Sequence, residues 1–197
     1  MKPITKFNQL DLNKRYTYAD YLTWKFQERV ELIKGWLYKM TPAPNLGHQS
    51  VSFKFSLQIG KFFDGKKCNA FTAPFDVRLL DKKQQKNDNK VYTVVQPDIC
   101  VICDDAKLDE RGCIGAPDWI IEIVSPGNTK REMQVKYDLY EENGVREYWI
   151  VHPGDGTIAV FQLKEGKYHF KKFYVKGDNV PCDLFRGLKI DTNKVFK

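Results

Sequence analysis

The stretch Asp118-Trp-Ile-Ile-Glu-Ile-Val-Ser125 constrains this chain more than any other. It is a short apolar run bounded by polar residues, the pattern of a buried β-strand, yet Glu122 stands in its middle. Taking an ionised carboxylate out of water is costly unless a cation or hydrogen-bond donors answer it. The fold must therefore bring compensating groups to Glu122. Upstream, Gln96-Pro97-Asp98-Ile-Cys-Val-Ile102 is a second apolar run with an acid at its mouth, and downstream Lys136 lies on a helical pattern.

The 197 residues suit one domain, 1–197, with 1–16 as a candidate flexible arm. Aromatic residues make up 14% of the chain, which favours a packed core over disorder. No apolar run approaches the roughly 18 residues of a membrane span. The opening Met-Lys-Pro-Ile-Thr-Lys6 lacks the apolar stretch of a signal peptide, so the expectation is no membrane and a cytoplasmic location. A formal net charge of +7 favours a polyanionic partner, provided the cations surround the site.

The five cysteines, Cys68, Cys100, Cys103, Cys113 and Cys182, are odd in number, and Cys100 falls in a core run; both facts argue against a disulfide framework. Cys100-x-x-Cys103 with Cys113 invites a zinc reading. In an extended strand, however, residues i and i+3 point to opposite faces, and a second Cys-x-x-Cys half is missing.

Along the chain, Thr17-Tyr-Ala-Asp20 offers a capping signal for a helix to about Glu28. Val30–Ile33 and Trp36–Met40 flank Lys34-Gly35 and predict a hairpin with Glu31 near its start. A proline-rich connection, 41–47, follows. Val51, Phe55, Ile59 and Phe62 predict an amphipathic helix over 48–63, with Lys54, Gln58 and Lys61 on its other face. Strands are predicted over 70–80, 91–103, 120–124, 147–151, 157–163 and 168–175, with a polar loop over 81–90. Ser125–Thr129 stops the strand of Glu122, and Thr129 with Glu132 signals a helix over 130–143 closed by Gly144, with Val135, Leu139 and Tyr140 facing inward. The order of strand, crossover helix and strand gives an α/β fold with antiparallel hairpin additions.

Two acids and a lysine on two strands and a helix fit a metal-dependent phosphodiesterase centre. Asp98 and Glu122 supply hard carboxylate oxygens, and the carbonyl of Ile123 can add another, a set suited to magnesium or manganese. Lys136 is placed to orient or deprotonate water, or to steady the transition state as a fixed cation. Glu31 can reach a metal through water. The structural alternative is that Glu122 and Lys136 form a buried ion pair that only orders the core.

The segments Glu31-Leu-Ile-Lys-Gly35, Pro44-Asn-Leu-Gly-His48, Pro97-Asp98, Gly115-Ala-Pro-Asp-Trp-Ile-Ile-Glu-Ile-Val-Ser-Pro126, Lys136-Tyr-Asp-Leu-Tyr140 and Gly144-Val-Arg-Glu-Tyr-Trp-Ile-Val-His-Pro153 resemble the Uma family, described as "putative restriction endonuclease". The resemblance spans nearly the whole chain. It implies the restriction-endonuclease-like core of the PD-(D/E)XK superfamily, a mixed β-sheet flanked by helices, and a magnesium-dependent hydrolase cutting DNA. It implies roles for Asp98 and Glu122, and brings in His48 as a substrate-contacting residue. Val124 stands where the superfamily usually has its lysine, so Lys136 becomes the replacement; Glu132 and Lys34 depart from commoner aspartates. A homodimer is the expectation for cutting a duplex. The competing expectation is a catalytically inactive nucleic-acid-binding or protein-interaction module on the same fold.

Overall fold

The computed structural model describes residues 3–40, 45–80, 87–125 and 130–196. A short helix, Tyr18–Tyr21 (α1), precedes the strands Val30–Ile33 (β1) and Trp36–Lys39 (β2), and then the helix Leu46–Phe63 (α2). Next come strands Asn69–Thr72 (β3), Val77–Leu79 (β4), Thr93–Val95 (β5), Ile99–Ile102 (β6), Leu108–Asp109 (β7), Gly112–Ile114 (β8) and Trp119–Ile123 (β9). The helix Lys130–Asn143 (α3) leads to strands Glu147–His152 (β10), Thr157–Lys164 (β11), Lys167–Val175 (β12), Asn179–Pro181 (β13) and Lys189–Asp191 (β14), and the chain closes with Thr192–Val195 (α4). One sheet has the order β2-β1-β5-β4-β8-β7 and another β12-β11-β10-β9-β6-β3. The second sheet is mixed: β9 and β10 run parallel, joined by α3 as their crossover, while its other neighbours are antiparallel. Among the described residues no helix is long and apolar enough to cross a membrane.

Local sequence explains several elements. Lys34 and Gly35 both have positive φ, 53° and 85°, which is what a two-residue turn of the favoured twist requires. Asn45 caps α2 by accepting from His48 N, and Val51, Phe55, Ile59 and Phe63 bury its inner face. Phe63, not Phe62, is the last of this stripe; Phe62 is only partly buried. Gln58 and Lys54 on the other side bond Asp191 and the carbonyl of Val195, anchoring the C-terminal elements.

Three expected elements differ. The helix after Thr17 keeps its capping box but stops at Tyr21, because Tyr18, Tyr21, Trp24 and Phe26 stack in sequence as the chain turns away. The strand expected over 70–80 is two strands in different sheets, β3 and β4, divided at Pro74. The strand expected over 91–103 is likewise β5 and β6, divided at Gln96-Pro97-Asp98, since proline has no N–H to continue a ladder. The candidate arm packs through Leu10 and Tyr16, both buried with Leu32 and Val94. The proline-rich residues 41–44, the loop residues 81–86 and the strand stop and cap signal at 126–129 lie outside the described residues.

Against the expectation from cysteine count, Cys68 and Cys103 form a disulfide. Their pairing follows from register: Asn69 faces Ile102 in the β3–β6 ladder, so the next residue on each strand meets its partner. Cys100 and Cys103 contribute to different core clusters on the two faces of β6, as the spacing required, and among the described residues no three His, Cys, Asp or Glu side chains are grouped to hold a metal ion.

Candidate active site

Glu31 on β1, Asp98 in the link between β5 and β6, Glu122 and Ile123 on β9, His48 on α2 and Lys136 on α3 all line one cleft of about 100 Å³. The two sheets and two helices thus each send a group to the same place. Every residue singled out from the sequence is brought together there.

Lys136 is the hub. Its Nζ lies 2.9 Å from Glu122 Oε1 and 3.1 Å from Glu31 Oε1, with only 20% of its side chain exposed. Tyr140, one helical turn further along α3, donates its hydroxyl to the same Glu122 oxygen at 2.6 Å. Glu31 Oε1 also accepts from the backbone N–H of Gln96 at 2.8 Å. Glu122 thus has the cation and the donor that its burial demanded. Burial still pushes its carboxyl above the usual range, to about 7; the Lys136 ammonium pulls down, while Asp98 and Glu31 push further up. For Lys136, burial alone would lower the ammonium, but the two glutamates outweigh it and hold the group protonated.

Asp98 is fixed by a second set of contacts. The β6–β9 ladder ends at Ile99 opposite Ile121, and beyond it the Asp98 carboxylate takes over, accepting from Ile123 N at 2.7 Å. Continuing that register would set Pro97, which has no N–H, opposite Ile123. His48 Nε2 lies 3.2 Å from both oxygens of Asp98. Burial works to lower the imidazole, but the hydrogen bond and charge of Asp98, then Glu122 and the Ile123 backbone, raise it above its ordinary value. His48 therefore holds its proton more tightly than a free imidazole does.

Behind this shell, Gln96 ties the site to its surroundings. Its side-chain amide donates to Asp76 at 2.8 Å, and its carbonyl accepts from Arg29 Nη2 at 2.7 Å. Gln96 and Tyr140 are the residues that sequence reasoning missed. For Tyr140 the signal was present: it sits four residues after Lys136, on the same helix face.

The chain is thus a mixed α/β protein with three acids and a lysine in one cleft. A family model described as "putative restriction endonuclease", Uma2, matches residues 18–193, and the chain belongs to that family. The solved structure of a "putative nuclease belonging to DUF820" from Anabaena variabilis superposes with a TM-score of 0.68 at 21% identity, covering 92% of this chain and 97% of that one. The uncharacterized protein slr1290 of Synechocystis sp. is 22% identical over 149 residues, 74% of this chain and 73% of its own length.

The donor set fits a hard divalent cation. Asp98 and Glu122 offer carboxylate oxygens, and magnesium is commonly held by one or two carboxylates together with water and substrate phosphate. Three clustered acidic ligands are not required for that mode.

Proposed function

We propose that this chain, as one domain, is a divalent-metal-dependent endonuclease that hydrolyses phosphodiester bonds in DNA. The observation that carries the reading is the convergence of Glu122, Glu31 and Lys136, with Asp98, from two sheets and a helix into a solvent-reached cleft. Asp98 and Glu122 would hold magnesium or manganese with the Ile123 carbonyl; Glu122 would offer Oε2, since Oε1 already serves Lys136 and Tyr140. When bound, the metal supplies Lewis acidity and a more acidic water.

The chain's own residues do the rest. Lys136, held protonated by two carboxylates, acts as a fixed cation facing charge that develops on phosphate, not as a base. This narrows the roles open to it from sequence. Tyr140 and Gln96 fix the two glutamates. His48 orients Asp98 and, in its protonated form, presents positive charge toward a bound phosphate. Water oxygen bonds to phosphorus, one ester P–O bond breaks, and the proton lost from water goes to the leaving oxygen through solvent.

The test is cleavage of DNA in magnesium or manganese. Glu122→Gln and Asp98→Asn are expected to abolish it while circular dichroism stays unchanged; cleavage that survives both overturns the reading. A second reading, a non-catalytic nucleic-acid-binding module, draws on the Glu122–Lys136 ion pair, which orders the core without any metal. Salt-sensitive DNA binding without cleavage in either metal would decide for it.

A further inference from the structure

The hairpin that delivers Glu31 also builds a wall of the cleft. Alternation along β1 points Arg29, Glu31 and Ile33 one way, and the pairing of Glu31 with Tyr38 sets the tyrosine on that same face beside the acid. Tyr38 is half-buried against the core and lines the cleft. Across from it stand Val135 and Lys136 of α3. Hairpin and helix are tied together at the floor by Lys136 and Glu31, and at the turn by Lys34 and Glu142, 3.0 Å apart.

The enclosed room between these walls is only about 100 Å³. A B-form duplex does not enter so small a space, whose walls are joined by ion pairs at the floor and at the turn. The acids also lie deep: the side chains of Glu31, Glu122 and Asp98 are 6%, 14% and 19% exposed. A phosphodiester reaches them when its nucleotide has left the base stack, and an aromatic ring next to the acids then receives the freed base.

We infer that the cleft takes an unpaired stretch of DNA, with Tyr38 stacking on the base adjoining the phosphate to be cut. The inference rests on the nuclease reading and narrows it, because one copy of the chain suffices to cut an unpaired strand.

The experiment measures fluorescence anisotropy of a short fluorescein-labelled oligonucleotide, single-stranded or annealed to its complement, titrated with the full chain in chelator so that nothing is cut. The single strand is expected to bind about tenfold or more tighter than the duplex. Tyr38→Ala should weaken single-strand binding about tenfold and Tyr38→Phe should leave it unchanged. If Tyr38→Ala fails to fold, Tyr38→Leu keeps apolar bulk without a π-face, and the same loss is expected. Equal or tighter duplex binding overturns the inference, as does full affinity in a folded Tyr38→Ala or Tyr38→Leu protein. The two readings fail separately: duplex preference with Asp98-dependent cutting leaves the nuclease standing, whereas tight single-strand binding without cleavage supports the stacking cleft and removes the nuclease.

Discussion

Replacing Lys136 by methionine removes an ammonium that contacts both Glu31 and Glu122, at 3.1 and 2.9 Å, and keeps the aliphatic bulk. All three side chains are at least four-fifths buried, so solvent screens the contacts little. At an effective dielectric of about 20, each contact is worth roughly 5 kcal/mol of Coulomb energy before desolvation is subtracted. Removing one partner of such a set leaves uncompensated charge and costs about 3–5 kcal/mol net, a fall of roughly 10 °C in melting temperature for a domain of this size. The loss must depend on pH. Burial already raises the Glu122 carboxyl to about 7 against the pull of Lys136, and without the ammonium it rises further. A raised carboxyl contributes stability that is present below its unfolded value of about 4.5 and is lost as pH climbs through the folded one. The Lys136→Met deficit should therefore be smaller at pH 5 than at pH 8. Adding Glu122→Gln should recover part of it at pH 8. Urea denaturation at both pH values measures this. A deficit under about 1 kcal/mol at pH 8, or one that does not shrink at pH 5, refutes the ion-pair account.

Tyr140→Phe removes a 2.6 Å hydrogen bond to a carboxylate and should cost about 1.5–3 kcal/mol in urea while slowing cleavage about tenfold. His48→Asn should destabilise more at pH 6 than at pH 9, because a raised imidazole contributes stability below its unfolded value near 6.5 and loses it as pH rises through the folded value; melting curves at the two pH values check the sign. The double change Cys68→Ser and Cys103→Ser opens a loop of 35 residues and should lower stability by roughly 3–4 kcal/mol, read from denaturation of the oxidised protein against the variant.

What the sequence made legible is what local chemistry specifies. Lys34-Gly35 announced a turn that only positive φ can make, the spacing of Val51, Phe55 and Ile59 announced the buried face of α2, and an acid inside Trp119–Ile123 announced a cation close by. The divisions of 70–80 and 91–103 were harder to see because an apolar run looks the same whether its strand continues or crosses to another sheet; Pro74 and Pro97 were the local marks. Tyr140 read as core because its ring is core, and the carboxylate that receives its hydroxyl comes from β9. The disulfide depended on β3 pairing with β6, a contact that no spacing of cysteines records.

Glu31 belongs to one sheet and Glu122 to the other, and Asp98 sits on the segment that crosses between them. A nascent or partly unravelled chain in which the layers have not yet docked holds the same amino acids at separate addresses. The meeting of the three carboxylates therefore arrives only with the finished tertiary structure.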